Sequence, residues 1–291
     1  MATLPLDLIR EIVEIAAECS LSQAATLAPI SREFNRCVRP MLCRTLMYYW
    51  TDSGSQWPVP VEELPQWLEV NGRHVRNLIW GISFNNDTRN LLSILKQCPG
   101  ITNLALWVNA SRGDISTILP GVSTLRLSRF SVNLHELFDR DVFSDREASY
   151  DAFRAVTHMD IIGDYTKWNQ IRGLAHLPSL THLSLPQRTH DPKYFNVIGP
   201  ALEECKHLKV LALVAGTDLS DDLPLRAAQV PIVAGGGDYG DKIDLRLVAF
   251  DCDFAADWVY GATGRKDMWV LADEVVERRL KGEENTNEGA S

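Results

Sequence analysis

Apolar positions near the start of the chain recur at helical intervals. Leu8, Ile12, Ile15 and Cys19 step by four, three and four, and Ile9, Val13 and Ala16 widen the stripe. This spacing predicts a helix with a broad apolar face. Asp7 suits its cap or first turn, where the helix dipole favours a negative charge. Ser20 or Ser22 can cap a second short helix through Leu27. Pro29 suits the first turn of a third, on which Phe34 and Val38 share a face, and Pro40 ends that helix or starts the next turn. A trio of this size is marginal by itself. With Leu4 and Pro5 just ahead of the first helix, the wide stripe is either a docking surface or the inner face of a cap packed on the next domain.

The period then changes. An apolar-x-x-apolar-x-apolar pattern recurs from Val75, Ile101, Val122, Val156, Leu180 and Leu208. The copies start every ~20–35 residues, close to the length of leucine-rich repeats. The last two apolar positions of each copy alternate as on a short strand with one buried face. Cys98-Pro99-Gly100, Leu119-Pro120-Gly121 and Leu177-Pro178-Ser179 supply turns before three copies, while Leu91, Leu92 and Leu95, and Val197, Ile198, Leu202 and Cys205, fit helices between strands. The expected fold class is α/β: a small three-helix unit (1–48), a connector (49–72), an irregular leucine-rich-repeat solenoid (73–281) with a C-terminal capping helix, and a disordered tail (282–291). The competing reading is a non-repetitive domain with a parallel sheet. In the solenoid reading, the side chains between the buried strand positions, Asn77, Asn103, Trp107, Arg126, Asp160 and Ser184, form an open face for a protein target.

Two stretches of the first unit resemble the F-box family. Leu4-Pro5-Leu6-Asp7-Leu8-Ile9-Arg10-Glu11-Ile12 is similar to its opening, and Leu27-Ala28-Pro29-Ile30-Ser31-Arg32-Glu33-Phe34 to its later L-x-x-V-S-R-x-F segment, with Phe34 where many members have Trp. The likeness covers about residues 3–46. It implies a substrate receptor of an SCF-type cullin ubiquitin ligase, in the cytoplasm or nucleus. The partners would be a Skp adaptor, and through it the cullin scaffold, together with a protein target. Leu4, Pro5, Leu8, Ile9 and Ile12 would contact the adaptor, and Ile30 and Phe34 would serve that surface or the unit's own core. A second reading is a repeat scaffold that is no ligase subunit and uses the helical unit as a cap.

The net charge of −9 disfavours phosphate backbones and anionic lipids, so neither nucleic acid nor membrane is an expected partner. The acidity is uneven: over residues 1–48, five arginines balance five acids. Six cysteines at scattered positions, without C-x-x-C spacing, point to reduced thiols. Trp50, Trp57 and Trp67 suit packing of the connector.

Catalytic signals are weak, and no catalytic residue, metal or cofactor is expected. Gly235, Gly237 and Gly240 satisfy G-x-G-x-x-G, but alternating Ile243, Leu245 and Leu247 follow instead of a helix, and Asp238, Asp241 and Asp244 would repel phosphate. A nucleotide-binding enzyme with its site at this loop is the remote alternative. His135-Glu136 begins a zinc motif whose second histidine is replaced by Asp139. His158 and His182 occupy equivalent positions but lack a third ligand. Cys252 lies between Asp251 and Asp253, whose charges would raise a thiol's pKa.

Overall fold

The structure is a computed structural model that describes residues 5–19, 21–51, 54–55, 63–82, 88–108, 118–138, 142–163, 165–186, 195–216, 226–228 and 244–282. The glycine motif at 235–240 and residues 283–291 lie outside the described residues.

Three helices open the chain: α1 (Leu6–Cys19), α2 (Leu21–Leu27) and α3 (Arg32–Leu42). Val13, Ala24 and Val38 form their shared core, with Ile9, Leu27, Phe34 and Met41 packed around it. Ser31 caps α3, its Oγ accepting the Phe34 N–H at 3.0 Å. Pro29 therefore lies in the turn before α3, and Pro40 lies inside the helix instead of ending it.

Strands and helices then alternate. β1 (Thr45–Thr51) and the two-residue β2 (Gly54–Ser55) are followed by α4 (Leu64–Asn71), β3 (Asn77–Ile82), α5 (Thr88–Gln97), β4 (Asn103–Val108), α6 (Leu119–Val122) and β5 (Arg129–Val132). Next come α7 (Leu134–Phe138), α8 (Asp145–Ala148), β6 (His158–Ile161), β7 (His182–Pro186), α9 (Phe195–Glu204), β8 (Val210–Gly216), β9 (Arg226–Ala228) and β10 (Leu247–Cys252). Two helices close the described chain, α10 (Phe254–Ala262) and α11 (Met268–Leu280).

The strands form one sheet in the order β2-β1-β3-β4-β5-β6-β7-β8-β10-β9. All pairings are parallel except those of β2 and β9 at the two edges. A ladder of shared carbonyls sets the register. Arg44 C=O accepts both the Arg76 and Asn77 N–H groups, and Arg76 C=O accepts those of Thr102 and Asn103. Thr102, Ser128, Thr157 and Thr181 repeat the arrangement down to Lys209 and Val210. The hydroxyls of Ser128, Thr157 and Thr181 each add a bond to the preceding carbonyl at 3.1–3.2 Å.

Alternation along each strand separates two faces. Leu78, Leu104, Phe130, Met159, Leu183 and Leu211 align across the sheet and enter the main core with α4, α5, α7 and α9. On the other face, α10 sets Trp258 and Ala262 against Ile79 and Ala105, and α11 sets Met268, Trp269, Ala272 and Val276 against Val210, Ala212, Val248 and Phe250.

This overturns the expected fold class. The chain is not a helical F-box-like unit followed by an irregular leucine-rich-repeat solenoid with an open strand face and a cap at its end. It has a single sheet with eight parallel strands and interleaved helices, an α/β arrangement with helices on both faces. The physical reason is α11. Its residues match the expected C-terminal helix, but Trp269 and Val276 bury against the sheet's second face. The expected boundary at 48 also falls inside β1, which runs directly from the helical trio into the sheet.

Candidate interaction surface

Helix α1 has two apolar sides. Val13 is buried and Ile9 half-buried in the trio's core. Leu8, Ile12 and Ile15 lie on the adjoining side, about 110° round the helix, at i, i+4 and i+7, with exposures of 47%, 56% and 55%. Residues at that spacing form one stripe. Ile30, in the turn between α2 and α3, is 62% exposed. Pro5 is exposed too, and its carbonyl accepts the Ile9 N–H at 3.1 Å, which starts α1.

The structure thus divides the seven expected adaptor contacts. Pro5, Leu8, Ile12 and Ile30 face solvent, Ile9 and Phe34 pack inward, and Leu4 lies outside the described residues. Ile15 belongs to the exposed stripe although it is not among the adaptor contacts that the F-box resemblance implies. Its spacing from Ile12 is the signal that finds it.

The expected target surface is not a surface. Asn77, Asp160 and Ser184 are buried, and Asn103 and Trp107 are half-buried. Asn77 Nδ2 donates to Thr45 Oγ1 at 2.9 Å and to the Ala262 carbonyl at 2.8 Å, so it ties the sheet to the end of α10. Asn103 Nδ2 donates to Asn77 Oδ1 at 2.7 Å. Trp107 donates to Ser131 Oγ at 2.8 Å and packs its ring on Phe254 and Trp258. Arg126 is exposed but sits in the turn before β5, not on a strand.

The position taken for Arg126 belongs to Arg129, which pairs in register with Asn103 and His158. Arg129 is buried beside three buried carboxylates. Its Nη1 donates to Asp267 Oδ2 at 2.9 Å, its Nε lies 3.4 Å from Asp160 Oδ2, and its guanidinium rests 4.8 Å from the centre of the Trp258 ring. Asp257 accepts the Met268 N–H at 2.7 Å through Oδ1. Burial pushes Asp160 up to about 6, against the pull of Arg129 and the Trp258 indole. Burial and the neighbouring carboxylates Asp267 and Asp160 push Asp257 up to about 7, against Arg129 and the Met268 N–H. Gly261 makes room for this cluster, since a Cβ there would lie 2.2 Å from Asp267 Oδ2 and 2.7 Å from Arg129 Nη1.

His158 and His182 do come together, stacked at 4.1 Å with Trp269 edge-on to both. Each Nδ1 is bonded at 2.8 Å to the preceding threonine hydroxyl, and His182 Nε2 meets Asp273 Oδ1 at 3.0 Å. Burial, then the charges of His182 and Arg129, push His158 down to about 3. Among the described residues, no group of three or more histidines, cysteines or carboxylates is placed to hold a metal ion. Cys252 is buried in the core under α11, and Asp253 caps α10 by accepting the Ala255 and Ala256 N–H groups. The thiols of Cys37, Cys43, Cys98 and Cys205 are free, and burial pushes Cys98 and Cys205 up to about 12. No helix among the described residues is long and apolar enough to cross a membrane.

The comparisons with known proteins add no relative: no family model matches the chain, and a search of curated proteins finds no significant match.

Proposed function

We propose that the helical trio docks a Skp-type adaptor through the α1 stripe, and that the chain is a non-catalytic receptor subunit of a cullin ubiquitin ligase, acting in the cytoplasm or nucleus. The observation that carries this reading is the exposure of Leu8, Ile12 and Ile15 on a unit that already has its own core. A structural cap would turn that stripe inward. Leu8 and Ile12 of the stripe lie in the segment that resembles the F-box opening, and Ile30 sits in the other resembling segment. The target surface of this receptor lies away from the second sheet face, which α10 and α11 cover.

The test is co-purification with a Skp adaptor, comparing the wild type with an Ile12→Asp/Ile15→Asp double variant. Both side chains are more than half exposed, so the variant is expected to keep its helical circular dichroism and melting temperature. Stable wild-type binding that the variant loses is the expected result. Absence of wild-type binding, in protein shown to be folded, would overturn the reading.

A further inference from the structure

A groove of about 690 Å³ opens between α3 and the turn that follows α4. Arg32, Arg36, Arg39, Arg73 and His74 line it, and Asn35 adds an amide. The polar frame around it is fixed. Arg39 Nε donates to Oδ1 of the buried Asn71 at 2.7 Å, and Asn71 Nδ2 is held by the Trp67 carbonyl at 3.0 Å. Arg76 Nη1 donates to the Arg73, Val75 and Gly100 carbonyls at 3.0–3.3 Å and so braces the turn that presents Arg73. Arg73 Nε donates to His74 Nε2 at 3.1 Å.

The local charge opposes that of the whole chain. Four guanidinium groups share this groove in a protein of net charge −9. Among the described residues, the acid paired to them is Glu33, 3.4 Å from Arg36, with both side chains well exposed to solvent. The field is felt by His74, which burial and then Arg73, Arg39 and Arg76 hold below the usual histidine range. Concentrating like charge in this way costs stability unless an anion offsets it.

We propose that this groove binds a compact soluble multianion bearing clustered phosphates. Guanidinium forks match phosphate oxygens in pairs, and arginine outnumbers every other side-chain type in the lining. The groove has the volume of a small-molecule site. Arg32, Arg36 and Arg39 line one side of the hollow from α3, at i, i+4 and i+7, and Arg73 and His74 close it from the turn at 72–74. This inference does not depend on adaptor docking.

The experiment is calorimetric titration of the full chain with tripolyphosphate at constant ionic strength, with sulfate and an oligo-glutamate peptide as comparison ligands. Saturable one-to-one binding is expected, roughly tenfold or more tighter than sulfate. An Arg32→Gln/Arg73→Gln double variant should lose about tenfold or more of that affinity while its unliganded melting temperature stays at the wild-type value. Arg36→Gln alone should weaken binding less than the pair does. Absence of saturable tripolyphosphate binding would overturn the proposal, as would unchanged affinity in a folded double variant. Oligo-glutamate binding as tight as tripolyphosphate would also overturn it, because the groove would then read charge and not phosphate.

Discussion

Arg129 is one cation among three buried carboxylates, and two of the three have pKa values raised by their surroundings. Removing the cation leaves uncompensated charge beneath α10 and α11. Arg129→Leu is therefore expected to cost about 3–5 kcal/mol, read as a shift in the urea midpoint. The raised values also fix a pH dependence. Asp160 and Asp257 rise from 3.8 to about 6 and about 7, so the folded chain retains protons that the unfolded chain releases. Their contribution to stability is highest near the acid end of that window and falls as pH rises through both folded values. For Asp257 alone the fall is roughly 2–4 kcal/mol between pH 4 and pH 8. Asp257→Asn keeps the acceptor for the Met268 N–H and removes the titration, so chemical denaturation across that range should give a flatter profile. Wild-type stability that rises steadily up to pH 8 would contradict this account.

Among the elements, α3 and α10 depend on single side chains. Ser31→Ala removes the cap of α3 and should lower stability by about 1 kcal/mol in thermal denaturation. Gly261→Ala forces a methyl into the Asp267–Arg129 pair, and a loss of about 1–3 kcal/mol is expected. Strand positions were legible in the sequence where the apolar pattern is unambiguous: the copies at Val75, Ile101, Val156, Leu180 and Leu208 run into observed strands. The copy at Val122 was out of register. Leu127 ends the pattern Val122-x-x-Leu125-x-Leu127 and begins Leu127-x-x-Phe130-x-Val132, and the sheet uses the second, pairing Phe130 with Leu104 and Met159. Periodicity alone does not separate two patterns that share a residue. The hydroxyl run Thr102, Ser128, Thr157 and Thr181, each two residues before a buried strand position, was a register mark left unread.

At the scale of the whole molecule, strands alternating with helices were legible, but their arrangement as one parallel sheet covered on both faces was not. Asn77, Asn103, Asp160 and Ser184 are polar, and polar strand positions read as solvated. Three of the four bond to one another or to groups tied to the helices above them: Asn103 to Asn77, Asn77 to the Ala262 carbonyl, and Asp160 to Arg129, which pairs with Asp267. Nothing in their spacing identifies the covering helix, which for Asn77 lies 185 residues further along the chain. On the candidate interaction surface, the helical period placed Leu8, Ile12 and Ile15 on one stripe. It did not tell which of two apolar sides of α1 faces the trio's core, since that depends on where α2 and α3 pack. A chain ending after Cys252 would uncover Ile79, Ala105, Val210 and Phe250 together with the Arg129 cluster. Such a truncation should unfold at a distinctly lower temperature and bind a hydrophobic dye.

The carbonyl ladder has a consequence for how the chain is made. Each parallel pairing from β1 to β8 joins a strand to the parallel strand synthesised before it, with only the two-residue edge strand β2 intervening between β1 and β3, through carbonyls already in place when the next pair of N–H groups emerges. The sheet can thus grow on the ribosome in the order of translation, one strand at a time, beginning against the trio. The second face must then wait, because α10 and α11 follow along the chain the strands that they cover. Until they arrive, the growing sheet exposes a row of amides, hydroxyls and charges at the start of its early strands, which water can solvate. The polar side chains that later lock the lid in place can be solvated meanwhile, but the apolar Ile79, Ala105, Val210 and Phe250 beside them stay uncovered until the lid closes.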